Sequence, residues 1–117
     1  GLGGHVIQGR GDGFEQLLAD ALAVQEAGAF AVVLEMVPAD AAAKITEALA
    51  IPTIGVGAGP HVDGQLLVWT DWAGFTKGRI PKFVKQYADL RATLSGAVEE
   101  YRADVASGSY PTEEHSY

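Results

Sequence analysis

The sequence contains no cysteine, and this absence excludes disulfide bonds and thiolate metal sites. Basic residues are also few, with 8 lysines and arginines against 15 acids and a formal net charge of -7. Nucleic acid is therefore not an expected partner, because phosphate binding needs a basic surface, whereas a small anion in a local basic pocket stays possible. No apolar run approaches the roughly 18 residues of a membrane-spanning helix, so the membrane is not an expected partner either.

The chain has 117 residues, of which 48% are hydrophobic, and this is enough to build a core. Its first thirteen residues, "GLGGHVIQGRGDG", are rich in glycine and contain no methionine. They are predicted to form a loop with one short extended piece at residues 5–8. We therefore expect the chain to be a piece of a longer protein or a matured segment.

The first part of the chain predicts a helix followed by a strand. The helix is expected to start after Asp12, a capping residue with Glu15 three positions later, and to end before Gly28. Its apolar positions recur at spacings of three and four: Phe14, Leu17, Leu18, Ala21 and Leu22. Residues 30–34 are continuously apolar, so both faces of this strand are expected to be buried, as in a parallel sheet.

A second helix is predicted from Pro38, which fits the first helical position, and it should end at Ile51-Pro52. The inner stripe of this helix consists of Ala42, Ile45, Thr46 and Leu49. Two further strands are predicted at Thr53–Val56 and Leu66–Trp69. Strand, helix and strand at this spacing predict parallel pairing with right-handed crossovers.

From Ile80 onward the pattern predicts mostly helix, which Gly108 and Pro111 bring to an end. The apolar positions of this helix are Phe83, Tyr87, Leu90, Leu94, Val98, Tyr101 and Val105. The fold class is therefore α/β. Three parallel strands do not close a barrel by themselves, so the pattern fits both an open sheet and half of an eight-stranded barrel.

Glu35 stands at the end of the first predicted strand and is the leading candidate for a catalytic residue. In α/β sheets and barrels, ligands bind at the carboxyl ends of the parallel strands. The apolar neighbours Leu34, Met36 and Val37 predict a partly desolvated carboxylate, a setting that suits a general base. The alternative is a structural acid that pairs with a buried arginine or caps a nearby amide. Position alone does not decide between the two.

The glycine-rich loop "GVGAGP", residues 55–60, follows the second predicted strand. Its three glycines would let the backbone approach a ligand, and its amides could hold an anion. The loop lacks the full spacing of a dinucleotide-binding motif, so a tight turn at a barrel rim is the favoured interpretation.

Other polar groups carry weaker signals. The basic cluster at residues 77–85 is interpreted as a solvated helix face rather than an anion site. The histidines at positions 5, 61 and 115 lack the helical spacing of metal ligands. His61 and Asp63 could meet a ligand above the glycine loop, although solvated loop residues are the commoner case.

Five blocks of the sequence agree in order and spacing with one enzyme family. They are "IQGRGD" (7–12), "VVLEMVP" (32–38), "ITEALAIPTIGVGAG" (45–59), "DGQLLVW" (63–69) and "YPTEEHSY" (110–117). On these blocks the chain resembles the ketopantoate hydroxymethyltransferases, or 3-methyl-2-oxobutanoate hydroxymethyltransferases, and corresponds to their C-terminal part. The resemblance implies that residues 1–117 form part of a (β/α)₈ TIM barrel of the phosphoenolpyruvate/pyruvate superfamily, whose N-terminal half is absent from this chain.

The reaction that this resemblance implies belongs to pantothenate, and hence coenzyme A, biosynthesis. A base removes a proton from C3 of 3-methyl-2-oxobutanoate, and the enolate attacks the one-carbon unit of 5,10-methylenetetrahydrofolate to give 2-dehydropantoate. The family's base is the glutamate of its LE-x-VP block, which corresponds to Glu35. The implied cofactor is Mg²⁺, chelated by the keto acid and held by the missing half, so no metal ligand is assigned in this chain.

The implied partners are the 2-oxo acid, the folate, a complementary N-terminal segment and further copies in a homo-oligomer, typically a decamer, in the cytoplasm. Because residues of the other half are needed, the resemblance does not imply that the 117-residue chain is active alone. Two alternatives stand beside the transferase. One is a related barrel lyase or mutase that acts on small 2-oxo acids, and the other is an inactive fragment or assembly module.

Overall fold

The structure is a computed structural model that describes residues 13–117. The predictions of an extended piece at residues 5–8 and of a helix cap at Asp12 lie outside the described residues. The chain divides into two compact units, which meet in sequence at Leu67 and Val68. None of the described helices combines the length and the apolar character that crossing a membrane requires.

The first unit contains helices α1 (Gly13–Glu26) and α2 (Ala39–Ala48) and three short strands. The strands are β1 (Val32–Glu35), β2 (Thr53–Val56) and β3 (Gly64–Gln65), and they form one parallel sheet in the order β1-β2-β3. In this register Glu35 lies opposite Val56, and Ile54 lies opposite Gly64. The predictions of an α/β fold and of parallel pairing are confirmed.

The core of this unit lies between the two helices and one face of the sheet. Its buried members are Ala21, Leu34, Val37, Ala41, Ala42, Ile45, Leu49 and Ala58. The predicted inner stripe of α2 is therefore confirmed, with Thr46 half-buried at its side. Gly28 has a φ of 98°, the left-handed conformation predicted for the residue that follows the first helix.

The prediction that both faces of the first strand are buried is wrong. Leu34 is only 3% exposed, whereas Val33 is 57% exposed and Phe30, which precedes the strand, is 90% exposed. Successive side chains of a strand point to opposite faces, so the two helices cover the Leu34 face. The other face of β1, which carries Val33, remains open in the part of the chain that the structure describes, and we call it the open face.

The third strand is shorter than predicted and ends one residue before the predicted start at Leu66. β3 covers only Gly64–Gln65, and the Leu66 amide donates a last hydrogen bond to the Gly55 carbonyl. Residues Trp69–Trp72 form the short helix α3 instead of the end of a strand. A short apolar run such as "QLLVW" fits strand and helix equally well by periodicity, which explains the error.

The second unit contains α3, helix α4 (Leu90–Ser107) and a 3₁₀ turn at Glu113–His115. The predicted helix therefore starts about ten residues too early at Ile80. The amides of Tyr87 and Leu90 donate to the carbonyls of Trp72 and Ala73, at 2.7 Å each. Hydrogen bonds to a distant segment therefore take the place of intrahelical hydrogen bonds here. Asp89 then caps α4 by accepting from the Ala92 amide at 3.3 Å.

Candidate functional site

Glu35 is the last residue of β1 and lies at the carboxyl end of the sheet. Its strand runs parallel to β2, whose last residue, Val56, is its register partner. Side chains two residues apart on a strand share a face, so Glu35 projects on the open face together with Val33. The structure therefore places the carboxylate at the strand end where parallel α/β folds bind ligands, as the sequence predicts.

The expected desolvation of this carboxylate is not found. Glu35 is exposed in the structure, because the helices that pack on Leu34 lie on the opposite face of the sheet. Its apolar sequence neighbours do not surround it: Leu34 and Val37 point into the core on the covered side. The geometry leaves Glu35 accessible to a molecule that approaches the open face.

The chain turns sharply immediately after Glu35. Met36 has a φ of 51°, a left-handed conformation that residues other than glycine adopt infrequently. Its amide donates a 2.8 Å hydrogen bond to the Val56 carbonyl, which extends the β1–β2 pairing by one bond. Sequence reasoning missed this turn, because methionine is not a residue that marks a left-handed position.

The glycine loop follows β2 at the same edge of the sheet as Glu35. Gly57 and Gly59 have φ values of 68° and 79°, which confirms the predicted tight turn. A Cβ atom on Gly59 would collide with Ala39, whose Cα would lie only 3.0 Å away. The Gly59 carbonyl accepts a 2.8 Å hydrogen bond from Gln65 Nε2. The loop is thus packed against the first residue of α2.

A hydrogen-bonded cluster of Thr46, Thr53 and Asp63 lies at the opposite end of β2. The fully buried Thr53 hydroxyl lies 2.8 Å from Thr46 Oγ1 and donates to Asp63 Oδ2 at 3.2 Å. The same carboxylate oxygen accepts from the Thr53 amide at 2.9 Å. The hypothesis that Asp63 meets a ligand above the glycine loop is therefore wrong, since Asp63 anchors the start of β2.

We predict that Thr53→Val destabilises the full-length protein by about 1–3 kcal/mol, because the Asp63 amide and Thr46 hydroxyl lose a buried partner. Thermal unfolding measures the change. The matched control is Thr93→Val on α4, where an exposed hydroxyl donates only to the Asp89 carbonyl. Surface substitutions of this kind stay within about 0.5 kcal/mol. Equal effects of the two substitutions would show that the cluster contributes nothing.

The remaining sequence candidates in the second unit have local roles of their own. The basic cluster at residues 77–85 lies in an irregular segment before α4, so its interpretation as a helix face is wrong. Lys85 Nζ lies 5.0 Å from the centre of the Tyr87 ring. His115 Nδ1 accepts a 3.2 Å hydrogen bond from the Thr112 amide and stabilises the 3₁₀ turn.

Among residues 13–117, no group of three or more histidine, aspartate and glutamate side chains is arranged to hold a metal ion. Carboxylate and other oxygen ligands are what Mg²⁺ requires. The described residues therefore do not fit a magnesium site by themselves.

The fold and the candidate site define a class of protein, an α/β protein with an accessible carboxylate at the carboxyl edge of a parallel sheet. Comparison with known proteins narrows this class. Residues 1–113 match the model of the family described as ketopantoate hydroxymethyltransferase, and the chain belongs to that family.

Proteins named 3-methyl-2-oxobutanoate hydroxymethyltransferase are similar to the chain over its whole length. The protein of Leifsonia xyli subsp. xyli (strain CTCB07) is 69% identical over 117 residues, all of this chain and 42% of the relative. That of Mycobacterium sp. (strain KMS) is 58% identical over the same shares. That of Acidothermus cellulolyticus (strain ATCC 43068 / DSM 8971 / 11B) is 61% identical over 116 residues, 99% of this chain and 43% of the relative.

The chain thus spans less than half of the length of these relatives. The predicted family is confirmed. A share of length does not place the chain at either end of a relative, so the assignment to their C-terminal part stays a prediction.

Proposed function

We propose that the full-length protein transfers a hydroxymethyl group from 5,10-methylenetetrahydrofolate to 3-methyl-2-oxobutanoate and produces 2-dehydropantoate for pantothenate synthesis. Membership of the ketopantoate hydroxymethyltransferase family supports this function, as do the names of the relatives. The structural observation that carries the proposal is the position of Glu35, exposed at the carboxyl end of β1 beside the turn that follows β2.

Glu35 is proposed to act as the general base that removes the proton from C3 of the keto acid. A carboxylate can do this when one of its oxygens comes within about 2.6–3.2 Å of that proton's carbon or of a relaying water. The position of Glu35 supports this role, because its side chain is exposed at the carboxyl end of β1, where parallel α/β folds bind ligands. The proton moves to a Glu35 oxygen, and the C–H electron pair becomes the enolate that attacks the one-carbon unit.

The sheet is proposed to be part of a (β/α)₈ barrel whose interior is the open face. The exposure of Val33 supports this proposal, because apolar faces of a sheet are normally covered. A complementary segment of the full-length protein would supply the remaining strands. Residues 1–117 would then form one partial barrel domain.

The proposed cofactor is Mg²⁺, which would stabilise the enolate oxygen when bound. Since the described residues hold no ligand set, we place its ligands in the part of the relatives that this chain does not cover. The full-length protein is further proposed to be a cytoplasmic homo-oligomer, for which the family resemblance implies a decamer.

A product assay tests this function against the alternatives. We expect full-length protein with Mg²⁺, 3-methyl-2-oxobutanoate and 5,10-methylenetetrahydrofolate to form 2-dehydropantoate, measured by mass spectrometry. The 117-residue chain at the same concentration should form none, since the proposed metal ligands lie outside it. Turnover of phosphoenolpyruvate-like acids without 2-dehydropantoate would support a lyase or mutase. Equal activity of the short chain would contradict the need for a complementary segment.

A further inference from the structure

The backbone of Met36, the residue after Glu35, has an unusual conformation. With a φ of 51°, Met36 is the non-glycine residue with positive φ among residues 13–117. Residues held in such sparsely populated conformations persist only where the surroundings fix them, and they concentrate at functional sites. Met36 lies next to the proposed catalytic residue, so the contacts that fix its backbone conformation bear on the position of Glu35.

Contacts on both sides fix this conformation. On one side, the Met36 amide donates to the Val56 carbonyl at 2.8 Å. On the other side, Val37 is only 3% exposed and belongs to the core beneath the sheet. Pro38 follows as the N-cap of α2 with a φ of -53°, and a residue before proline is restricted to extended conformations. The Met36 backbone is thus fixed between a hydrogen-bonded strand on one side and the buried Val37, followed by Pro38, on the other.

The left-handed turn decides where β1 stops. An extended conformation at Met36 would continue the strand direction beyond Glu35, and the chain could not then bury Val37 before α2 begins at Ala39. With the turn in place, Glu35 is the last strand residue, and its side chain leaves the sheet at the edge that also carries Gly57.

We propose that Met36 is a positioning residue, whose left-handed backbone holds the Glu35 carboxylate at the rim of the open face for proton removal. This inference rests on the proposed function. It assigns the role to the backbone conformation at this position and not to the thioether, so side chains that tolerate positive φ should substitute for methionine. Asparagine tolerates it well, unbranched side chains pay a moderate cost, and β-branched side chains are strongly disfavoured.

The test compares Met36→Asn, Met36→Leu and Met36→Val in the full-length protein. We expect the Asn and Leu variants to keep kcat within about threefold of the wild type, whereas Val lowers it roughly ten- to a hundredfold, the scale of a misplaced catalytic group. The KM for 3-methyl-2-oxobutanoate should stay constant, since metal chelation of the keto acid is placed elsewhere. Circular dichroism shows whether the Val variant is folded, because a partly unfolded sample would also lower the apparent kcat at an unchanged KM. If it does not fold, Met36→Thr, which is also β-branched, replaces it.

The rate of deuterium exchange at C3 links the effect to Glu35. In a Glu35→Gln background, Met36→Val should cause no further loss, because the group that it displaces is already inactive. Equal kcat for the Val and Asn variants, or a further tenfold loss in the Glu35→Gln background, would overturn the positioning role and leave the proposed function intact. Wild-type exchange in Glu35→Gln alone would instead overturn the proposed function, and this inference with it.

Discussion

Glu35→Gln in the full-length protein is expected to slow proton exchange at C3 of 3-methyl-2-oxobutanoate by about 10²–10⁴-fold, the usual contribution of a general base. Glutamine keeps the size of the side chain and one hydrogen-bonding oxygen, but its amide does not accept a proton at neutral pH. Overall turnover should fall with the exchange, since the enolate forms in that step. The Glu35→Gln variant should still bind the keto acid, because the proposed Mg²⁺ site lies outside the described residues.

Deuterium exchange at C3, followed by NMR with Mg²⁺ present and folate omitted, isolates this step from the later attack on the one-carbon unit. The matched control is Glu47→Gln, which removes the same charge from an exposed position on α2 and should leave the exchange unchanged. Wild-type exchange combined with reduced turnover in Glu35→Gln would show that Glu35 is not the base. Its role would then move to the new hydroxyl group or to the folate.

Ile45→Ala is expected to destabilise the protein by about 2–5 kcal/mol, the range for removing a large aliphatic side chain from a core. Ile45 on α2 is fully buried, and it belongs to the cluster that joins both helices to the covered face of the sheet. The rigid backbone of α2 prevents the surroundings from filling the cavity completely. Because α2 begins three residues after Met36, a loosened helix should also disturb the turn that positions Glu35.

Thermal unfolding of the full-length protein, with protein concentration held constant, measures this loss. Ile45→Val provides a graded control, for which the loss of one methylene group costs about 0.5–1.5 kcal/mol. If the core contacts of α2 stabilise the protein, the unfolding temperature should fall in the order wild type, Ile45→Val, Ile45→Ala. If the Ala variant unfolds at the same temperature as the Val variant, the packing of α2 on the sheet is not a main source of stability.

Local sequence signals predicted the first unit well. Gly28 and Pro38 mark the ends of helices, because few residues tolerate a left-handed conformation and proline restricts its neighbours. The apolar runs around β1 and β2 predicted strands, and the helix between them predicted parallel pairing. From this pairing alone, Glu35 and the glycine loop had to share one edge of the sheet, as the structure has them.

Long-range contacts decided what these signals missed. The segment before α4 has a helical pattern, yet its amides donate hydrogen bonds to the carbonyls of Trp72 and Ala73. The spacing of residues along the chain does not predict such long-range hydrogen bonds. The exposure of Val33 likewise depends on which face the helices cover.

Local patterns were enough to predict the α/β class, the order of the strands along the chain and the position of Glu35 at a strand end. The resemblance of five sequence blocks was enough to predict the family. The class, the strand order and the strand-end position follow from periodicity and turn residues, which act over a few neighbouring residues. Local patterns did not predict that Glu35 is exposed, that Asp63 anchors the start of β2, or that Met36 adopts a left-handed turn. Each of these depends on partners brought together by folding, such as Val56 with Met36 and Thr53 with Asp63.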